Sequence, residues 1–208
     1  MEDKGRLLVG GRWAHRIGFS VKAKLFFLSV NSRFESVIAE EGFVIRQTNV
    51  SEDSQAPRRA ATYEMDPDRK LCTVRHATEG LFGYDRLPLP PGAQDGISVI
   101  QLARAVSRTK GSLWVLTAAD GTWKGTQLRA VGTERIEWRD TQVATVKVEM
   151  AGHYRGPGGL SGLITLWISD DERAIPLKSK MKVALGSVDL ELLPEAGPGS
   201  AAREDAER

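Results

Sequence analysis

The chain contains a single cysteine, Cys72, and only three histidines, His15, His76 and His153. One thiol cannot close an intramolecular disulfide, and it cannot build a metal cage alone. The histidines lie far apart in sequence, and none stands one helical turn from another ligand within a helix, so no metal or other cofactor is expected. Cys72 sits between Leu71 and Thr73 in a strand-like stretch, where a thiol behaves as a small apolar core residue. Long hydrophobic runs are missing too. The longest, 25–28 and 113–116, hold four residues each, whereas a membrane-spanning helix needs about 20. No excess of charge of one sign is present. The 29 basic and 27 acidic residues give a formal net charge of +2. The tail from Pro194 carries four acidic and two basic residues, which leaves the body at +4. Nucleic-acid binders concentrate far more positive charge on one face, so no nucleic-acid partner is expected.

Catalytic motifs are equally scarce. No Gly-x-Ser-x-Gly elbow and no His-Glu-x-x-His occurs. The tract from Gly156 to Gly162 is glycine-rich, but it lacks the Lys-Ser/Thr ending of a phosphate loop and reads as a flexible turn. Asp170, Asp171 and Glu172 are consecutive in a turn signal, not separated as paired catalytic carboxylates must be. No catalytic residue is nominated, and the chain is not expected to be an enzyme. Met-Glu-Asp-Lys-Gly at the N-terminus offers neither an apolar h-region nor a cleavage site, so no export signal is expected in the chain as written.

What is abundant is period-two alternation. Ile17, Phe19, Val21, Ala23 and Leu25 alternate with Gly18, Ser20, Lys22 and Lys24. Val146, Val148 and Met150 do the same against lysine, threonine and glutamate, and residues 175–185 repeat the pattern. Shorter strand patterns cover 33–38, 43–49, 59–65, 70–76, 112–117, 123–130, 133–138, 162–169 and 187–193. Between them stand turn signals such as Glu41-Gly42, Asp66-Pro67-Asp68, Asp120-Gly121 and Asp170-Asp171. Many short strands without crossover helices indicate an antiparallel meander.

One helix interrupts the strands. Val99, Leu102, Ala103 and Val106 form an apolar stripe at helical spacing, Asp95 offers an N-cap, and Gly111 a stop. Such a helix can plug or cap the inner face of a curved sheet. Near the C-terminus a turn at Leu185-Gly186 would set Lys182 opposite Asp189, Lys180 opposite Glu191, and Val183 opposite Val188. Both faces are satisfied by that register or by a slip of two residues. The lysines at 178, 180 and 182 then read as a solvated outer face.

Leu25-Phe26-Phe27-Leu28 breaks the alternation. Leu25 and Phe27 continue the inward face, so Phe26 and Leu28 are the residues out of pattern. Either another element covers the outer face, which is the more ordinary outcome, or the run lines an apolar cavity or groove. In the second case Phe26, Phe27 and Leu28 are the ligand-binding residues.

The segment from Gly162 to Lys178, followed by Leu185-Gly186-Ser187-Val188 and Leu190, resembles the C-terminal signature of a bacterial domain-of-unknown-function family, number 3108. Gln94-Asp95-Gly96-Ile97-Ser98 with Arg104 resembles its helix motif, and Arg33–Ser36 and Gly132–Arg135 fit its strand pattern. The resemblance runs from about residue 13 to 193. It implies a mostly antiparallel β-domain of the cell envelope, exported or lipid-anchored, without established catalytic activity, and kin in shape to half-barrel lipoprotein carriers. Family members usually carry an export signal and a first strand ahead of the part that begins here; a missing first strand would leave an edge unpaired.

The expectation is therefore an all-β domain over residues 1–193: a strongly curved antiparallel sheet or partly open β-barrel of roughly ten strands, with one packed helix near 96–108. The tail, 194–208, is expected to be disordered. The expected function is non-catalytic, in the periplasm or cell envelope: binding a lipid or other apolar ligand in the concave face of the sheet. The alternative is a structural or interaction module that docks a partner protein through a sheet edge.

Overall fold

The computed structural model describes residues 2–25, 28–53, 56–78, 81–119, 122–152, 163–183 and 186–191. A seven-stranded sheet takes up the first half: β1 (Glu2–Val9), β2 (Arg12–Leu25), β3 (Leu28–Ala39), β4 (Val44–Asp53), β5 (Ala56–Asp66), β6 (Leu71–Thr78) and β7 (Leu81–Pro88). The helix α1 (Gly96–Thr109) follows. A six-stranded sheet completes the fold: β8 (Ser112–Ala119), β9 (Thr122–Trp138), β10 (Thr141–Gly152), β11 (Ile164–Ser169), β12 (Pro176–Val183) and β13 (Gly186–Glu191). Each sheet is a meander in sequence order, with antiparallel pairing throughout. No pairing among the described residues closes either sheet into a barrel, so the architecture is mostly antiparallel β and open.

Among the described residues thirteen strands stand where roughly ten were expected. The patterns at 123–130 and 133–138 fuse into β9, because Val131 is an extra residue between the pairs Val148↔Ala130 and Lys147↔Gly132. β1 and β7 were hidden for different reasons. Gly5 sits at a register shift between Asp3 and Arg6 that breaks the alternation of β1. β7 has no apolar-in, polar-out pattern, since it leaves both faces largely exposed.

The helix forms where its stripe and cap place it. Asp95 Oδ1 accepts from the Ile97 and Ser98 amides at 2.9 and 2.7 Å, and the Asp95 amide donates to Ser98 Oγ at 2.8 Å. This reciprocal box satisfies the first free donors of the helix. At the other end the left-handed residue is Lys110, φ 52°, one position before the expected glycine. Val99, Ala103 and Val106 are buried against Leu128, Val146, Val148, Ile164, Leu166 and Ile168 of the second sheet. Arg104 donates to the carbonyls of Ala174 and Arg173 at 3.0 and 2.9 Å, and Arg108 to that of Glu172 at 2.7 Å. The helix is thus latched to the turn between β11 and β12.

Two side-chain contacts, and a backbone bridge made by the connector after β7, hold the sheets and the helix together. Ser36 Oγ of β3 donates to Asp95 Oδ2, so the N-cap carboxylate also holds the first sheet. The Gln94 amide donates to the Leu116 carbonyl at 2.8 Å, and its carbonyl accepts from Ala118 at 3.1 Å, which extends β8 by one bridge. Trp123 Nε1 of β9 donates to the Pro88 carbonyl at the end of β7, at 2.7 Å.

The last hairpin takes the slipped register of the two that the sequence allows. Lys180 faces Asp189, Lys178 faces Glu191 and Met181 faces Val188. Lys180 and Asp189 stand 3.9 Å apart, with both side chains near half exposed.

Candidate functional site

The two outer strands of the first sheet differ sharply. β1 carries the devices that keep a sheet edge from pairing with another chain: a bulge and inward-latched charges. Lys4 pairs with Glu35 at 3.0 Å, and Arg6 grips Glu40 with two hydrogen bonds of 2.6 and 3.0 Å. The Arg6 bonds hold the Glu40 carboxyl below its ordinary range. β7 has no bulge, and its charges are Asp85, 3.8 Å from His76, and Arg86. Its register with β6 runs uninterrupted from Leu71↔Pro88 to Thr78↔Leu81, and it contains no lysine.

The exposed side chains of β7 are large and apolar. Phe82 is 85% exposed, Leu81 78% and Tyr84 68%. Alternation assigns them to faces. Asp85 pairs with Val74, which lies in one cross-strand row with Tyr63, Gln47 and Ser36; Ser36 faces the helix. Leu81, Gly83 and Asp85 therefore lie on the helix side of the sheet, and Phe82, Tyr84 and Arg86 on the other. Among the described residues no strand pairs with this edge, and side chains on both faces are exposed at this corner. Trp123 covers only the far end, at Pro88. Arg86 is exposed and has no carboxylate partner among the described residues, whereas Arg75 beside it is paired with Glu64 at 3.1 Å. On the inner side the His76 ring lies over Gly83, where an added Cβ would come within 2.3 Å of Nε2. Glycine here lets the imidazole cross the strand.

The other candidates fall into two groups, those outside the described residues and those engaged in ion pairs, turns or core. Phe26 and Phe27 lie outside the described residues. Leu28 is the first residue of β3, paired with Leu25, the last of β2, and its side chain is not described. The run 25–28 therefore does not lie within one strand. His15 stands 3.8 Å from Glu40, and His76 3.8 Å from Asp85; His153 and Gly156–Gly162 lie outside the described residues. Among the described residues no three His, Cys, Asp or Glu side chains gather as a metal site. Asp171 accepts from Ser169 Oγ at 2.8 Å and from the Arg173 and Ala174 amides at 3.0 Å each. The Ser169 bond leads the set that holds its carboxyl low, which is the chemistry of a turn. Cys72 is fully buried, and burial pushes its thiol up to about 11. It serves as core.

Sequence reasoning passed over β7 because exposed aromatics beside a glycine carry no period to detect. The available signal was Leu81-Phe82-Gly83-Tyr84 itself, an apolar stretch with no polar alternation.

No helix of the described residues is long and apolar enough to cross a membrane. A family model described as "Protein of unknown function (DUF3108)" matches residues 14–193. No curated protein and no solved structure matches the chain. The match runs from within β2 through the helix to β13, leaving out β1, and the chain belongs to the DUF3108 family.

Proposed function

We propose that this protein is a non-catalytic module of the bacterial envelope that docks an extended segment of another protein along the free edge of β7. The observation that carries this reading is the corner formed by Leu81, Phe82 and Tyr84, apolar on both faces of an edge strand without a bulge. An edge strand presents unpaired main-chain donors and acceptors, which an added strand satisfies. Side chains specify the occupant further. On the outer face the incoming strand would set apolar or aromatic groups against Phe82 and Tyr84 and a carboxylate against Arg86. Placement in the envelope, and the absence of catalysis, follow from the kinship read in the sequence.

The lipid reading draws less support. The described helix-facing side of the first sheet buries Ser32, Ser36 and Gln47 beside Val74, Cys72 and Met65, a lining that mixes polar with apolar groups. That side of the second sheet is filled by α1. Phe26, Phe27 and Leu28 would have to carry it.

A photo-crosslinking residue placed at position 82 tests the docking reading in living cells. The expected result is one dominant foreign adduct, lost in Tyr84→Ser and Arg86→Glu backgrounds. The purified adduct partner should then protect β7 amides from hydrogen exchange. No adduct, protection confined to other strands, or crosslinks to a second copy alone would overturn it.

A further inference from the structure

Away from β7, the turns after β3 and β5 and the connector leading to α1 line a half-open cavity of about 270 Å³. Its floor is the core of the first sheet, Val44 and Met65, which are 1% and 5% exposed. Its walls are built by Leu89 and three prolines, Pro67, Pro90 and Pro91. Proline has no amide hydrogen and a fixed φ, so these walls are rigid and poor in donors. Leu89 is held in place by its amide bond to the Lys70 carbonyl at 2.9 Å.

One charged residue lines this cavity, Lys70. The neighbouring carboxylates are already engaged: Asp68 by Arg12 at 3.0 Å and Asp66 by Arg69 at 3.6 Å. Lys70 is exposed and has no ion-pair partner among the described residues. The left-handed backbone of Lys70, φ 53°, sits in the turn whose Arg69 amide is fixed by Asp66 at 2.9 Å. An apolar, proline-walled hollow with a single unneutralised cation has the chemistry of a site for an amphiphilic anion.

We propose that this cavity binds a small apolar carboxylate, its hydrocarbon part on Val44, Met65 and Leu89 and its carboxylate beside Lys70. The volume is just under the ~300–1,000 Å³ of drug-sized sites, which limits the ligand to a short aliphatic or aromatic acid. This inference is independent of the β7 reading, since no residue is shared.

Titration of the full chain with octanoate, phenylacetate and octylamine, followed by calorimetry and by amide NMR shifts, tests it. Saturable binding of either acid is expected, with shifts concentrated at Lys70, Leu89 and Ala93, and clearly weaker binding of octylamine. Lys70→Glu should weaken the acids by about tenfold while leaving the melting transition in place, because the substitution reverses the sign of an exposed charge. Which acid binds more tightly separates the aliphatic from the aromatic source. No saturable binding up to roughly 10 mM, equal binding of acid and amine, or binding untouched by Lys70→Glu would each overturn the proposal.

Discussion

The two sheets share a topology and differ in what lies beneath them. Under the second sheet, twelve buried apolar residues from α1 and its strands and turns form one cluster, from Val99 on the helix to Met181 on β12. Under the first, the corresponding cluster among the described residues is Val44, Met65, Cys72 and Val74, with Tyr63, Leu87, Leu89 and Trp123 packed around it. Elsewhere the described part of the first sheet buries Ala14, Val37 and Ala39 together with the polar Ser32, Ser36 and Gln47. Apolar burial contributes about 25 cal/mol per Å², so among the described residues the larger share of apolar cohesion lies with the second sheet and its helix. The first sheet is held at its junction by polar contacts through Ser36 and Gln94. A lightly packed sheet with a bare corner is suited to surface recognition; a densely packed one is suited to support.

The largest effect should come from the dense side. Leu128 is completely buried against the helix cluster, and Leu128→Ala should cost about 3–4 kcal/mol in denaturant unfolding, through lost transfer energy and the cavity left behind. Next comes the junction. Asp95→Ala removes the helix cap and strips Ser36 of its acceptor inside the protein, a loss of about 2–3 kcal/mol.

Burial raises the Asp95 carboxyl above its ordinary value, against the opposing pull of its hydrogen bonds from Ser36, Ser98 and Ile97. The native state then holds the proton more tightly than the unfolded chain. Its contribution is fully present below the unfolded value and is lost as pH rises through the raised native value. Asp95→Asn cannot ionise, so its unfolding free energy should lack this decline with rising pH, as paired denaturation curves across acid to neutral pH would show.

A smaller change is expected in the sparse cluster. Val74→Ala should cost about 1–2 kcal/mol, and a loss as large as that of Leu128→Ala would erase the contrast between the sheets. The smallest stability effect belongs to the edge. Phe82→Ser should move the unfolding free energy by no more than about 0.5 kcal/mol, since the ring is almost wholly exposed. A destabilisation above that would mean the ring packs on the sheet, and would weaken the case for docking.

How much of this was legible depended on whether a residue's partner is near in sequence. The helix and its Asp95 cap were readable because stripe and cap fall within one short segment. The final hairpin was narrowed to two registers by charge and apolar pairing, and the structure adopts the one that places Lys178 opposite Glu191. The division into two sheets was not readable, because every strand pairs with its sequence neighbour and nothing in the alternation marks where one meander stops. β7 was missed because an edge strand owes its side chains to a surface and so shows no inward period. The cavity by Lys70 draws on two turns and a connector distant in sequence, which no local pattern brings together.

The strict sequence order of the strands also has a mechanical consequence. Glu2 begins the outermost strand of one sheet and Glu191 ends the outermost strand of the other. Both lie at the open ends of their hairpins, where Glu2 faces Gly18 and Glu191 faces Lys178. Tension applied between these two points would load hydrogen bonds one pair at a time. The molecule should peel from its two margins inward at low force, and the helix with its latched turn should be the last part to give way.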